Sequence, residues 1–402
     1  MVMKGIYIYT LTSSLHNAQV IDETSKTFLS SLNCDYTLKL DSFEDYGTHD
    51  LDVIFVRTGG TEGIFKSLLP ELLHSTRKFY LLTSGHNNSL AASMEILSFL
   101  NNNSLSGEII HGNAAYIHDR LTTLVQVGRA QRAVAGKKLG VIGAPSDWLI
   151  SSQADYAEVK SKLGVEIIDI PMSEVIDEYN ALENMDIKSP LAHHTQDTVI
   201  TKNLIGAERI YIALKAIVKR YGLNGFTIRC FDLLSAVKNT GCVALARFNS
   251  EGIVATCEGD VPAMLSMLVA HALTGVSGFQ CNASTINPNT GQMLMAHCTI
   301  PFNMVDSFKL DTHFESGLGV GIVGFSPVGP ITVFKISGDL TRYFAAEGTL
   351  VKCQNEPGLC RTQQLIALDN SHDSKYFLTR PIGNHHIVIP GHCKNLIDEW
   401  FK

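Results

Sequence analysis

The sequence predicts an α/β protein: two domains with parallel, Rossmann-like sheets, followed by a β-rich, barrel-like domain. Three observations carry this expectation. Apolar runs that end in glycine or polar turns alternate with helical segments over about the first 135 residues, the pattern of a parallel sheet with crossover helices. The same alternation begins again at "KKLGVIGAPSDWLI". After Gly275, short strands rich in Gly, Thr, Ser and Val replace the helices. The expected domains are 1–130, 131–276 and 277–402.

Taken in order, "KGIYIYTL" and "DVIFVRTGG" read as strands. "RKFYLLTSGHNNSLAASMEILSFLNNN" reads as strand, loop and helix, and "GEIIHGN" as a further strand. "DRLTTLVQVGRAQRAVAG" is a helix that ends at Gly136. In the second domain "ADYAEVKSKLG" is a helix closed by glycine and "VEIIDIP" is the next strand. The polar stretch from Ile187 to Asp197 reads as a surface loop. "AERIYIALKAIVKRYG" has strong helical periodicity, "FTIRCF" is a strand, and "VALARFNSEGIVATCEGD" reads as a hairpin or strand-turn-strand. "VPAMLSMLVAHALTG" is an almost wholly apolar helix. Pro262 belongs in its first turn, where proline is tolerated, so Glu258 and Asp260 should sit at a strand–helix junction. The later strands are "QMLMAHCTIP", "GPITVFKISG", "EGTLVKCQ" and "NHHIVIPG", and "CKNLIDEWF" is a closing helix.

Composition excludes several classes of function. Apolar residues make up 45% of the 402 and the net charge is −7. No basic block suggests nucleic acid as a partner. No apolar stretch reaches the length of a membrane span, and "MKGIYIYTLTSSLHNA" fits a strand better than a signal peptide; the expected compartment is the cytoplasm. The nine cysteines are scattered, odd in number and form no CxxC pair, which argues against a zinc ribbon or a disulfide framework.

Three glycine-bearing loops, at 57–63, 83–88 and 141–147, follow strands. None has the spacing of a nucleotide-binding loop. "GHNNS" lacks the features of a nucleophile elbow. Cys298 beside His297 is a poor thiol–imidazole pair if both lie within one strand, because adjacent residues face opposite sides. What remains is a set of carboxylates and imidazoles: Glu258, Asp260, His297, His385 and His386. Such ligands suit Mn²⁺, Fe²⁺, Co²⁺ or Zn²⁺.

The order of these motifs resembles the L-fucose isomerase / L-arabinose isomerase superfamily, most closely its shorter fucose isomerase-like members. The resemblance spans nearly the whole chain. It is most specific in "CEGDVPAMLSMLVAHALTGVSGFQCNASTINPNTGQMLMAHCTIP" and "GNHHIVIPG". It implies a metal-dependent aldose–ketose isomerase that works through a cis-enediol, usually with Mn²⁺. Under it Glu258 and Asn282 take the catalytic carboxylate positions. Glu258, Asn282, His297 and either His385 or His386 are the implied metal ligands, and Asp260, His86 and Trp148 face the sugar. It further implies a homo-oligomer, a trimer or hexamer, with a small-molecule sugar as the ligand.

One departure stands out. The family places a second Asp or Glu about two dozen residues after the first, whereas the residue 24 positions after Glu258 is Asn282. No acid occurs between Val261 and Val305. Asparagine can offer a carbonyl oxygen but cannot accept a proton as a carboxylate does. The substitution predicts weak metal binding. It leaves two other classes open: a non-catalytic carbohydrate-binding or regulatory protein, and another metal-dependent sugar enzyme such as an epimerase or lyase.

Overall fold

A computed structural model describes residues 5–40, 42–76 and 78–402. Residues 1–4, 41 and 77 lie outside the described residues, among them Lys4 and Arg77, which open two of the expected strands. The chain divides into two compact units, Met1–Arg132 and Ala133–Lys402.

The first unit runs β1 (Ile6–Leu11), α1 (Ala18–Ser31), β2 (Thr37–Lys39), β3 (Leu51–Val56), α2 (Glu62–Leu72), β4 (Lys78–Leu82), α3 (Ser89–Asn102), β5 (Ser106–Ile110) and α4 (Ala114–Val134). Its strands pair in parallel in the order β2-β1-β3-β4-β5. Successive residues of one strand feed opposite faces. Ile8 and Val53 pack with Ile117 and Leu121 of α4, while Tyr9 and Ile54 pack with Phe65 and Ile96. Both faces are thus covered, as a parallel sheet requires.

The second unit begins with β6 (Lys138–Ile142), α5 (Tyr156–Leu163), β7 (Glu166–Ile170), α6 (Met172–Ala181), α7 (Thr198–Tyr221), β8 (Gly225–Ile228), α8 (Phe231–Val237), α9 (Cys242–Ser250), β9 (Val254–Cys257) and α10 (Val261–Thr274). The parallel sheet has the order β7-β6-β8-β9. Helix α7 starts well before the expected Ala207, because the Asp197 carboxylate accepts hydrogen bonds from the Val199 and Ile200 amides and caps it. The hairpin expected before Glu258 is corrected: its first half is the helix α9. Cys242–Ala246, Phe248 and Asn249 are all buried. A helix with only Arg247 and Ser250 partly exposed has too narrow a polar stripe for its period to be read.

The rest of the unit is β10 (Phe279–Asn287), β11 (Gln292–His297), β12 (Ser307–Asp311), β13 (Gly321–Phe325), β14 (Gly329–Ile336), β15 (Tyr343–Gln354), β16 (Thr362–Leu368), α11 (Lys375–Thr379), β17 (His385–Pro390) and α12 (Lys394–Trp400). Six of these strands close an antiparallel barrel in the order β10-β11-β16-β15-β14-β17. Phe279, Met293, Met295, Val333, Ile366 and Val388 contribute to its core. Helix α10 packs against β8 and β9 of the sheet and against β14 and β17 of the barrel. This double burial is why its sequence is apolar all round. Cys230 and Cys257, which follow and end the adjacent strands β8 and β9, are joined in a disulfide 27 residues apart in sequence. That pairing corrects the expectation drawn from cysteine spacing, which carries no information on strand adjacency. Among the described residues no helix is long and apolar enough to cross a membrane.

Candidate metal centre

Glu258 stands where β9 gives way to α10, at the carboxyl end of a parallel strand, the usual place for a site in an α/β sheet. The turn is left-handed at both Glu258 (φ 67°) and Gly259 (φ 70°). Position 259 must be glycine for a further reason. A Cβ there would lie 2.3 Å from the Ala144 carbonyl oxygen and 2.6 Å from Pro145 Cα. The Glu258 carbonyl accepts from the Ser146 amide at 2.9 Å. Asp260 then caps α10, its Oδ1 accepting from the Ala263 amide at 2.8 Å. A left-handed non-glycine residue costs on the order of 1 kcal/mol or more and persists only where its surroundings impose it. Here the loop after β6 does so.

The barrel contributes the partners. His385 opens β17 and pairs with Asn282 of β10, which in turn pairs with Ala296 of β11, next to His297. This register gathers three residues at one end of the barrel. His385 Nε2 lies 3.3 Å from Glu258 Oε1, and His297 Nε2 lies 3.9 Å from the same oxygen. One ligand atom from each of Glu258, His297 and His385 falls within 4.8 Å of the others. All three residues are buried, at 8%, 5% and 0% exposure.

Behind this trio lies a second layer. His385 Nδ1 donates to Asp260 Oδ2 at 2.9 Å, which leaves the neutral ring with its lone pair on Nε2. A buried ammonium, Lys335 Nζ of β14, stands 3.3 and 3.4 Å from the two Asp260 oxygens. Trp148 Nε1 donates to Glu258 Oε2 at 2.6 Å. A carboxylate that orients a ligating histidine is the usual outer layer of a metal site.

The charges point the same way. Burial pushes the Glu258 carboxyl up, but the neighbouring His385, with His297 and the Trp148 hydrogen bond, holds it down at about 2. Burial drives Asp260 up as well, and Lys335 and His385 bring it below the usual range. His385 is pushed down by burial but raised to about 9 by Asp260 and Glu258. Two ionised carboxylates thus flank one imidazole, and the pocket favours a cation, whether the ring proton or a metal. His385 Nε2 makes no hydrogen bond although it is buried. A buried nitrogen left unpaired is costly, and facing a carboxylate oxygen and a second imidazole it suits a divalent ion of the Mn²⁺ to Zn²⁺ series. Burial keeps His297 neutral, with its value lowered to about 4, as a ligand must be.

The other expected residues are placed as follows. His386 faces away from the trio. Its Nε2 meets the Tyr376 hydroxyl at 3.0 Å and its Nδ1 the Asn384 carbonyl at 3.1 Å, among Phe344 and Phe377. The alternation of side chains along β17 therefore separates His386 from the ligand group. Asn282 is half-buried and lines a cavity with Glu258 and His297. Asp260 is fully enclosed, and both its oxygens are taken. Trp148 is 49% exposed and reaches Glu258. His86 belongs to the first unit, exposed on a short turn after β4.

Several contributors carried no motif. Lys335 interrupts an apolar strand, "ITVFKI", a signal because a buried lysine is rare unless paired. Gln280 of β10 is another. Its Oε1 accepts from the Cys257 amide at 2.7 Å and its Nε2 donates to the Cys257 carbonyl at 3.3 Å. It acts as a missing strand for the outer edge of β9, immediately before Glu258. Gln280→Leu leaves the Cys257 amide buried and unpaired, at about 1–3 kcal/mol, while the Cys257 carbonyl keeps the Asp260 amide and the Thr227 hydroxyl. Urea unfolding should register a loss of about 1–3 kcal/mol. A change below about 0.5 kcal/mol would show that this bridge does not secure β9.

No protein-family model matches the chain. It is 23% identical over 286 residues to proteins named sulfoquinovose isomerase from Priestia aryabhattai and Priestia megaterium, covering 62% of this chain and 59% of each relative. A protein of the same name from Alkalicoccus urumqiensis is 24% identical over 229 residues, 52% of this chain and 49% of that relative. The matches thus span about three-fifths or less of the relatives' length.

Proposed function

We propose that the chain is a metal-dependent aldose–ketose isomerase acting on a small-molecule sugar. The observation that carries this is the buried Glu258–His297–His385 trio, with an unbonded His385 Nε2 3.3 Å from a Glu258 oxygen. The relatives' names, all those of a sugar isomerase, and the motif order of the fucose and arabinose isomerases both support it. The ion we assign is Mn²⁺, held by Glu258, His297 and His385. When bound, it would polarise the sugar carbonyl and stabilise the negative charge of the enediolate.

The chain's own residues have separate tasks. Asp260, held by Lys335, fixes the His385 ring so that Nε2 faces inward. Trp148 holds one Glu258 oxygen and so aims the other. Proton transfer between C1 and C2 needs a carboxylate within reach of the sugar. Glu258 and Glu315 line the cavity. With Glu258 assigned to the ion and held by Trp148, we assign the proton transfer to Glu315, which is exposed. Asn282 is a half-buried amide on the same wall, suited to a sugar hydroxyl. A homo-oligomer in the cytoplasm completes the proposal.

The test is a panel of aldoses, with fucose, arabinose and sulfoquinovose included, assayed for ketose with and without Mn²⁺. We expect ketose from at least one of them, dependent on Mn²⁺. Asn282→Asp, which adds a charge beside the trio, should tighten Mn²⁺ binding about tenfold, as a nearby carboxylate in a partly desolvated pocket would. No ketose from any sugar, together with a calorimetric titration flat for both forms, would favour the carbohydrate-binding reading.

A further inference from the structure

We propose that Cys298 and Cys360 form an oxidisable dithiol in the wall of this cavity, cross-linked by peroxides, and that the bridge disables the adjacent metal centre. The placement comes from the barrel register. The last rung of the β11–β16 ladder pairs His297 with Thr362. Cys298 follows His297 directly, and Cys360 precedes Thr362 by two residues, so the two cysteines lie just beyond the same rung. Because β11 stops at His297, the alternation of a strand no longer separates residues 297 and 298, and both line the cavity. Cys360 and His313 line the same cavity as Cys298. The His313 ring is oriented in turn by Ser316, whose Oγ lies 3.1 Å from Nδ1. Cys298 is only 2% exposed, whereas Cys360 is half-buried. Such a wall admits a molecule as small as hydrogen peroxide.

The chemistry balances without a further reactant. The Cys298 sulfur attacks one peroxide oxygen, the O–O bond breaks, and water leaves with the thiol proton relayed by His313. The resulting sulfenic acid is attacked by the Cys360 sulfur. The S–S bond forms, the S–O bond breaks, and a second water leaves. Two thiols are oxidised and one peroxide is reduced to two waters. The bridge would fix the residue next to His297 and draw that ligand out of register with Glu258. Cys242, in the same cavity, is the competing partner.

The loss of metal binding rests on the reading given under Proposed function; the cross-link does not. The purified full chain is treated with one equivalent of hydrogen peroxide, alkylated, digested and mapped by mass spectrometry, alongside an untreated sample. We expect a Cys298–Cys360 peptide and a Mn²⁺ affinity at least about tenfold weaker by calorimetry. Cys360→Ser should give no bridge and change less than twofold on the same treatment, relative to its own untreated form. A bridge from Cys298 to Cys242, or no bridge at all, would overturn the dithiol. Equal loss of Mn²⁺ affinity in Cys360→Ser would overturn the bridge as the cause of inactivation. An untreated protein that binds no Mn²⁺ would count against the metal centre, while the peptide map would still decide the dithiol.

Discussion

Lys335→Met is expected to lower the unfolding free energy by about 3–5 kcal/mol, the usual cost of removing one partner from a buried ion pair. Both side chains of the Lys335–Asp260 pair are 0% exposed. Without the ammonium, Asp260 keeps a charge that His385 and one backbone amide alone must satisfy. The cost therefore arises from the stranded carboxylate more than from the lost attraction. A double-mutant cycle tests this. Asp260→Asn combined with Lys335→Met should be less destabilising than the sum of the two single changes by at least about 1 kcal/mol. Urea unfolding of all four forms supplies the comparison, and strict additivity would mean that the pair does not act as a unit.

On the proposed function, Glu258→Gln should abolish saturable Mn²⁺ binding and, with it, isomerisation. Substitutions in the outer layer of a metal site already cost about 10–100-fold in affinity. Glu258 is the only carboxylate of its trio, so its loss should exceed that range. Lewis-acid stabilisation of an enediolate is worth several kcal/mol, so turnover should fall on the order of 10³-fold. Glutamine keeps an acceptor for Trp148 and nearly the same volume, so thermal unfolding should shift little. Calorimetric titration beside a ketose assay reads both effects. Wild-type affinity in Glu258→Gln would remove this residue from the metal centre.

Much of this arrangement was legible from the residues alone, and the reasons are local. Pro262 placed a helix start just after Asp260, and the change in texture after Gly275 marked the passage to antiparallel strands. Where two neighbouring histidines left a choice, strand alternation meant that only one could face the site, but periodicity does not say which face is inward. The register with Asn282 and the packing of α10 decide for His385. Near-complete burial erases the helical period of α9. Lys335, Gln280 and the Cys298–Cys360–His313 group carry no motif because each gains its role from a partner far off in the chain. Gln280 meets Cys257 across the sheet edge, and Lys335 meets Asp260 from another strand. Such pairings are products of topology, and no spacing announces them.

Closure of the barrel also imposes an order on biosynthesis. Strand β17 hydrogen-bonds to both β10 and β14, so neither of those is fully paired until residues 385–390 have been made. On the ribosome, 88 residues separate His297 from His385. At roughly 5–20 residues per second that is an interval on the order of 4–18 seconds. Throughout it the nascent chain carries two unsatisfied strand edges, which invite wrong pairing, and a Glu258–His297 pair without its third ligand. On the proposed function, metal acquisition would therefore follow translation of the last barrel strand. A ribosome stalled before residue 385 would present chaperones with an open sheet whose candidate metal centre is incomplete.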